Sequence, residues 1–257
     1  MVMQPGATRY RILLVICVVA IIAVFLLPPI AQDPLYHQFA DQNSLLSIPH
    51  AFNVLSNLLF GWAGVAGLYL LTWEKSLHIE TRIYPAYFCF FAALILIAIG
   101  SSYYHWSPDN QSLNWDRLPI TIAFMSFFTI LIGERISIPL AKRMFPVLLA
   151  VGVASIVYWH FSELAGRGDL RPYALVQFLP VLLTPFILLM FDSVYNRKTD
   201  LWWFLAWFLV SKICELLDAW IYDWLILVSG HSLKHITSGI GCLVLLRYLR
   251  LRRRLDQ

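Results

Sequence analysis

Charge is scarce in this chain: Asp, Glu, Lys and Arg together supply 13% of 257 residues, too few for a soluble domain of ordinary composition. The formal net charge of +4 is modest, and most of the positive residues lie in loops and the C-terminal tail. Membrane orientation accounts for them, so neither a nucleic acid nor a protein partner is expected. Cysteine is scarce too. Cys17, Cys89, Cys214 and Cys242 fall inside apolar runs without C-x-x-C spacing, and they read as small buried side chains rather than disulfides or thiolate ligands. Internal repeats, low-complexity tracts and a soluble domain are missing as well.

What is abundant is apolar surface. Hydrophobic residues make up 60% of the chain and mean hydropathy is +0.69, the composition of a polytopic membrane protein whose first partner is the lipid bilayer. The 17 Phe, 12 Tyr and 10 Trp supply lipid-facing bulk and rings suited to the bilayer interface. A membrane helix needs about 20 mostly apolar residues. Eight stretches qualify, near 12–30, 50–72, 84–104, 116–133, 141–160, 172–191, 201–224 and 231–249, which makes an all-α bundle. The first has the charged start and apolar core of a signal peptide, but the cleavage site near Ala31 is poor, and a retained helix is favoured. The chain divides into an N-terminal helix with its outer loop (1–49), a membrane domain (50–250) and a basic tail (251–257).

Lys and Arg near segment ends favour the cytoplasmic side. Alternate loops and the termini hold Arg9, Arg11, Lys75, Arg82, Arg135, Lys142, Arg143, Arg197, Lys198 and the arginines after 246, whereas the opposite loops hold Arg167 and Arg171, with Arg117 at a segment edge. Both termini are therefore expected in the cytoplasm, and eight spans satisfy that parity.

Two short stretches then meet on the opposite side. Ser101 to Asp116 ends one segment with His105 and begins the next with Asp116; His231-Ser-Leu-Lys-His235 opens the last segment. Histidines at i and i+4 project from one helix face, as two ligands to one metal must. Three imidazoles and a water complete a catalytic zinc site, whereas calcium and magnesium prefer oxygen. Ser101 stacks one turn deeper than His105, placed to stabilise an oxyanion, and Asp116 is placed to accept a proton from water. Each has a plainer reading: a serine bonded to its own helix, a carboxylate paired with Arg117 or its own helix N-terminus, and histidines merely hydrogen-bonded at an interface, as for His37, His50, His78 and His160.

Asn53-Val-Leu-Ser-Asn57, Gly100-Ser101 followed by His105, Asp116-Arg-Leu-Pro119 and His231-x-x-x-His235, in this order and on these segments, resemble the alkaline ceramidase family and, more broadly, the CREST superfamily of seven-helix membrane hydrolases. The resemblance covers the seven segments from about residue 50 to 249 and leaves the first helix as an addition. It implies that His105, His231 and His235 bind zinc, that Asp116 acts on the water and that Ser101 assists at the substrate carbonyl. The reaction implied is hydrolysis of a ceramide-type membrane lipid to a sphingoid base and a fatty acid.

Two positions depart from the family pattern. His50 stands where those ceramidases have a glutamate, and the preceding loop offers only Asp33 and Asp41, so calcium dependence is doubtful. Arg117 reverses the charge beside Asp116. Lys212 and Glu215 are expected to pair at i and i+3, and Asp218 or Asp223 is placed to accept a hydrogen bond from a ligand histidine. Nothing in the histidine pattern reads a head group. Ester and phospholipid hydrolases, and a lipid receptor or transporter with a structural metal, therefore stand beside the amidase. The short tail agrees with a bacterial inner membrane and a periplasmic site.

Overall fold

The computed structural model describes residues 6–74 and 76–255, whose regular structure is all helical, with no strand among them. Lys75 and the last two tail residues lie outside the described residues. The helices are α1 (Ala7–Leu26), α2 (Ala51–Leu55), α3 (Leu58–Trp73), α4 (Tyr84–Trp106), α5 (Asn110–Arg135), α6 (Ile138–Leu164), α7 (Arg171–Met190), α8 (Lys198–Leu216), α9 (Asp218–Leu225) and α10 (Gly230–Leu251). Among the described residues, six spans are long and apolar enough to cross a membrane: Ala7–Leu26, Ala51–Trp73, Thr81–Trp106, Asn110–Arg135, Ile138–Leu164 and Arg171–Met190. The two remaining segments, in α8 to α10, are helical too. They carry Lys198, Asp200, Lys212, Glu215, Lys234 and Arg247, and fall short of that standard. The chain is thus a helical membrane bundle.

The polar run after Trp106 is helix, where a loop to Trp115 is expected from its composition. Asp109 accepts from Ser112 N at 2.6 Å, and Ser112 Oγ accepts from Asp109 N at 3.1 Å, a reciprocal cap that starts α5 at Asn110. Only residues 107–109 connect α4 to α5, and Asp116 lies in the second turn of α5 rather than at its beginning. Its expected stabilisation by the helix N-terminus falls away, because that effect fades within the first turn.

The α4–α5 contact depends on glycine and proline together. Pro119 has no N–H, so the carbonyl of Trp115 loses its helical partner. That carbonyl faces Gly100 so closely that a Cβ there would meet Trp115 O at 2.1 Å. Gly100→Ala is accordingly expected to destabilise the protein by about 1–3 kcal/mol, because the obstacle is backbone. A thermal melt in detergent measures this; an unchanged midpoint would show that the two helices can separate freely.

Helix α1 runs antiparallel to α7. Arg9 Nη1 donates to Met190 O at 2.6 Å at one end, and Arg171 Nη1 donates to Leu27 O at 2.6 Å at the other. Asp169 anchors that arginine, and the hydrogen bonds from Arg171 hold its carboxyl down at about 2. At the end of the bundle away from the histidines, Arg252 donates to Glu134 and Tyr87 and, at 2.7 Å, to His78 O, while Tyr248 donates to Glu134 at 2.7 Å. Arg252 is counted among the tail's orientation charges by sequence, yet its side chain is 0% exposed and that of Glu134 2%.

Two expected continuous segments are broken. The turn at Ser56 and Asn57 separates α2 from α3, with both side chains hydrogen-bonded to Asn53 O. The turn at Leu217 separates α8 from α9, where a Cβ on Gly230 would meet Cys214 O at 2.2 Å and Asp218 Cα at 2.7 Å. Only glycine lets the start of α10 come this near.

Candidate metal centre

The three histidines converge. His105 comes from the last turn of α4, and His231 and His235 come from the first turns of α10. Their ligand-capable atoms lie within 4.8 Å of one another, all three side chains are buried, and no fourth His, Cys, Asp or Glu joins the group among the described residues. Ring centroids are 4.8 Å apart for His105 and His231, 4.9 Å for His105 and His235, and 5.0 Å for His231 and His235.

The start of α10 is fixed by the Asn53 stretch. Asn53 Oδ1 accepts from Ser229 Oγ at 3.2 Å and Ser232 Oγ at 2.6 Å, while Ser229 caps the helix by accepting from Ser232 N at 3.2 Å. Asp218 accepts from His231 N at 2.6 Å and Ala40 N at 3.3 Å. It therefore positions the histidine through the backbone and not through the ring, contrary to the role expected for it; Asp223 is exposed.

The hydrogen bonds treat the three rings differently. Ser56 donates its single proton to Asn53 O at 3.1 Å and lies 2.9 Å from His235 Nδ1, so it accepts from Nδ1–H. That leaves His235 Nε2 as a lone-pair donor. The Lys234 ammonium donates to His231 Nε2 at 2.8 Å, so the lone pair of His231 is engaged in this geometry and the lysine must move aside for that ring to ligate. His105 Nδ1 is buried with no partner. A buried set of three imidazoles, one with an orphaned nitrogen, fits a nitrogen-preferring metal ion.

Ser101, one helical turn below His105, and Asp116 both line a cavity of about 310 Å³ that His235 also borders. Arg117 does not form an ion pair with Asp116. Its Nη2 donates to Gln32 Oε1 at 2.7 Å, and its guanidinium packs over the rings of Trp159 at 4.5 Å and Tyr173 at 4.9 Å. The expected Lys212–Glu215 pair is present at 2.8 Å.

The long loop after α1 caps the cluster. Phe39 is buried against His105 at 4.6 Å and His231 at 5.0 Å. Neither it nor Lys234 is assigned a role by the sequence reading. Lys234 had a signal, since it lies three residues from His231 and shares its helix face; Phe39, in an irregular loop, had none. The other histidines bond elsewhere: His37 Nδ1 lies 3.0 Å from Tyr104 Oη, His50 Nδ1 2.8 Å from Asp41 O and His160 Nδ1 3.0 Å from Asn114 Nδ2.

Fold and site define a helical integral membrane protein with a buried three-histidine cluster beside a largely apolar cavity. Compared with protein families and with curated proteins, the chain matches no family model and no curated sequence.

Proposed function

We propose that the protein is a zinc-dependent amidase of the bilayer, cleaving a ceramide-type lipid into a sphingoid base and a fatty acid. The observation that carries this reading is the convergence of His105, His231 and His235, the last of which borders, with Ser101 and Asp116, one largely apolar cavity. The group has no fourth protein ligand among the described residues, which favours a catalytic over a structural metal. The cavity falls in the size range of small-ligand sites, and Phe90, Leu94, Phe124 and Phe127 give it walls suited to an acyl chain.

Zinc, when bound by the three imidazoles, supplies a Lewis acid and lowers the pKa of water toward neutrality. Asp116 takes the proton from the attacking water and returns it to the departing nitrogen as the amide C–N bond breaks. Ser101 donates its O–H to the carbonyl oxygen, where negative charge develops. Phe39 over the cluster limits access of bulk water.

In this reading the protein has eight spans and sits in a bacterial inner membrane with both termini cytoplasmic. The loops at the site end carry Arg167 and Arg171, whereas Arg9, Arg82, Arg197 and Arg247 belong to the other end, a distribution that supports a periplasmic site. Asp116→Asn should keep zinc while turnover falls by about 10²–10⁴. Ser101→Ala should cost about 10²–10³ in turnover. Metal content and fatty-acid release on the same preparation decide both, and full turnover in either variant removes that residue from the mechanism.

A further inference from the structure

The polar end of the cavity has more cationic than carboxylate side chains. Arg117, Lys212 and Lys234 line it, against Asp116 and Glu215. One carboxylate serves two ammonium groups: Glu215 accepts from Lys212 at 2.8 Å and from Lys234 at 3.0 Å, with Tyr36 Oη at 3.4 Å. Arg117 is 5% exposed and has no carboxylate within ion-pair distance among the described residues. Its hydrogen-bond partner is the neutral Gln32, and Nη1 is buried without a partner.

A buried guanidinium without a direct ion pair is costly, and aromatic faces compensate it only in part. The electrostatics improve when an anion enters. Arg117 and the lysines are joined into one wall, because the Tyr36 ring lies 5.5 Å from the guanidinium while its hydroxyl meets Glu215. That wall adjoins Ser101 and Asp116, on the side where the polar head of a lipid must lie if its acyl chain occupies the apolar part.

Resting on the reading of this cavity as a lipid-amide site, we propose that Arg117, Lys212 and Lys234 select a lipid whose polar head carries an anionic group, such as a phosphate or sulfonate. Arg117 offers a directed N–H donor, and the lysines offer point charges that fit either oxyanion. Nothing in the wall reads the atom at the centre of the anion.

The test has a binding arm and a turnover arm. Displacement of a fluorescent fatty-acid probe from the intact zinc-loaded protein should show dodecyl phosphate binding at least about tenfold tighter than dodecanol. Arg117→Gln and Lys212→Gln should each reduce that preference about fivefold or more, with dodecanol binding reporting that the variants are folded. Lys212 is half-buried, so its variant still tests the idea if Arg117→Gln fails to fold. Equal affinity for the two probes, or variants that leave the preference intact, overturns the proposal. In the second arm, ceramide 1-phosphate should be cleaved with at least about tenfold higher kcat/KM than ceramide. Preferred cleavage of ceramide, with tight dodecanoate binding, would overturn it and assign the cations to the fatty-acid product. If neither amide is cleaved while dodecyl phosphate keeps its advantage, the hydrolase reading fails and anion selection stands.

Discussion

Purified in detergent, the protein is expected to carry close to one zinc per chain, and replacing His105, His231 or His235 by Ala should remove nearly all of it together with turnover. The three ligand atoms are already gathered within 4.8 Å, so losing one leaves two imidazoles for an ion that is stably held by three or four protein ligands. A graded arm makes the test specific. Ser56→Ala should weaken zinc about 10–100-fold without abolishing it, because Ser56 orients the His235 ring from behind. Metal analysis by mass spectrometry, paired with fatty-acid release from ceramides and glycerolipids with and without chelator, reads both effects. Zinc without cleavage of any lipid would point to a receptor, and absence of zinc from the native protein would sink the cluster as a metal site.

The second large effect lies at the opposite end of the bundle and concerns stability. Glu134→Ala leaves the Arg252 guanidinium buried beside Tyr87 and Tyr248 with no carboxylate, and should destabilise by about 3–5 kcal/mol. Arg252→Met alone strands Glu134 in the same way. The double variant Glu134→Met/Arg252→Met is expected to recover much of the loss, since apolar side chains of similar volume can replace a buried pair at little cost. Thermal melts of the four proteins form a double-mutant cycle. If the single variants melt with the native protein, the pair is solvated and its burial has no energetic weight.

The segment pattern in the sequence determines the class of fold, because a bilayer admits backbone only as helix or closed barrel and long apolar runs satisfy the former. Sequence spacing likewise presents His231 and His235 on one face, since a helical period needs no tertiary partner. Neither fixes what meets that face. His105 reaches the pair through α2, since Ser102 donates to Val54 O at 3.2 Å while Asn53 Oδ1 accepts from Ser229 and Ser232 at the start of α10. The residues after Trp106 read as loop, since polar side chains signal exposure whether or not a reciprocal cap makes them helical.

The rest of the site was decided by helix rotation and by a loop, which leave no periodic trace. Arg117 follows Asp116 directly, yet turns to Gln32 and Trp159, because consecutive helical residues point about 100° apart. Phe39 covers two histidines from a loop whose path depends on Asp218 accepting Ala40 N. Arg252 reads as a tail charge until His78, Tyr87, Glu134 and Tyr248 enclose it. Sequence by itself determined which residue types could do chemistry and along which helices they lie; tertiary structure decided which of them touch, because contact between distant segments is set by packing and capping rather than by period.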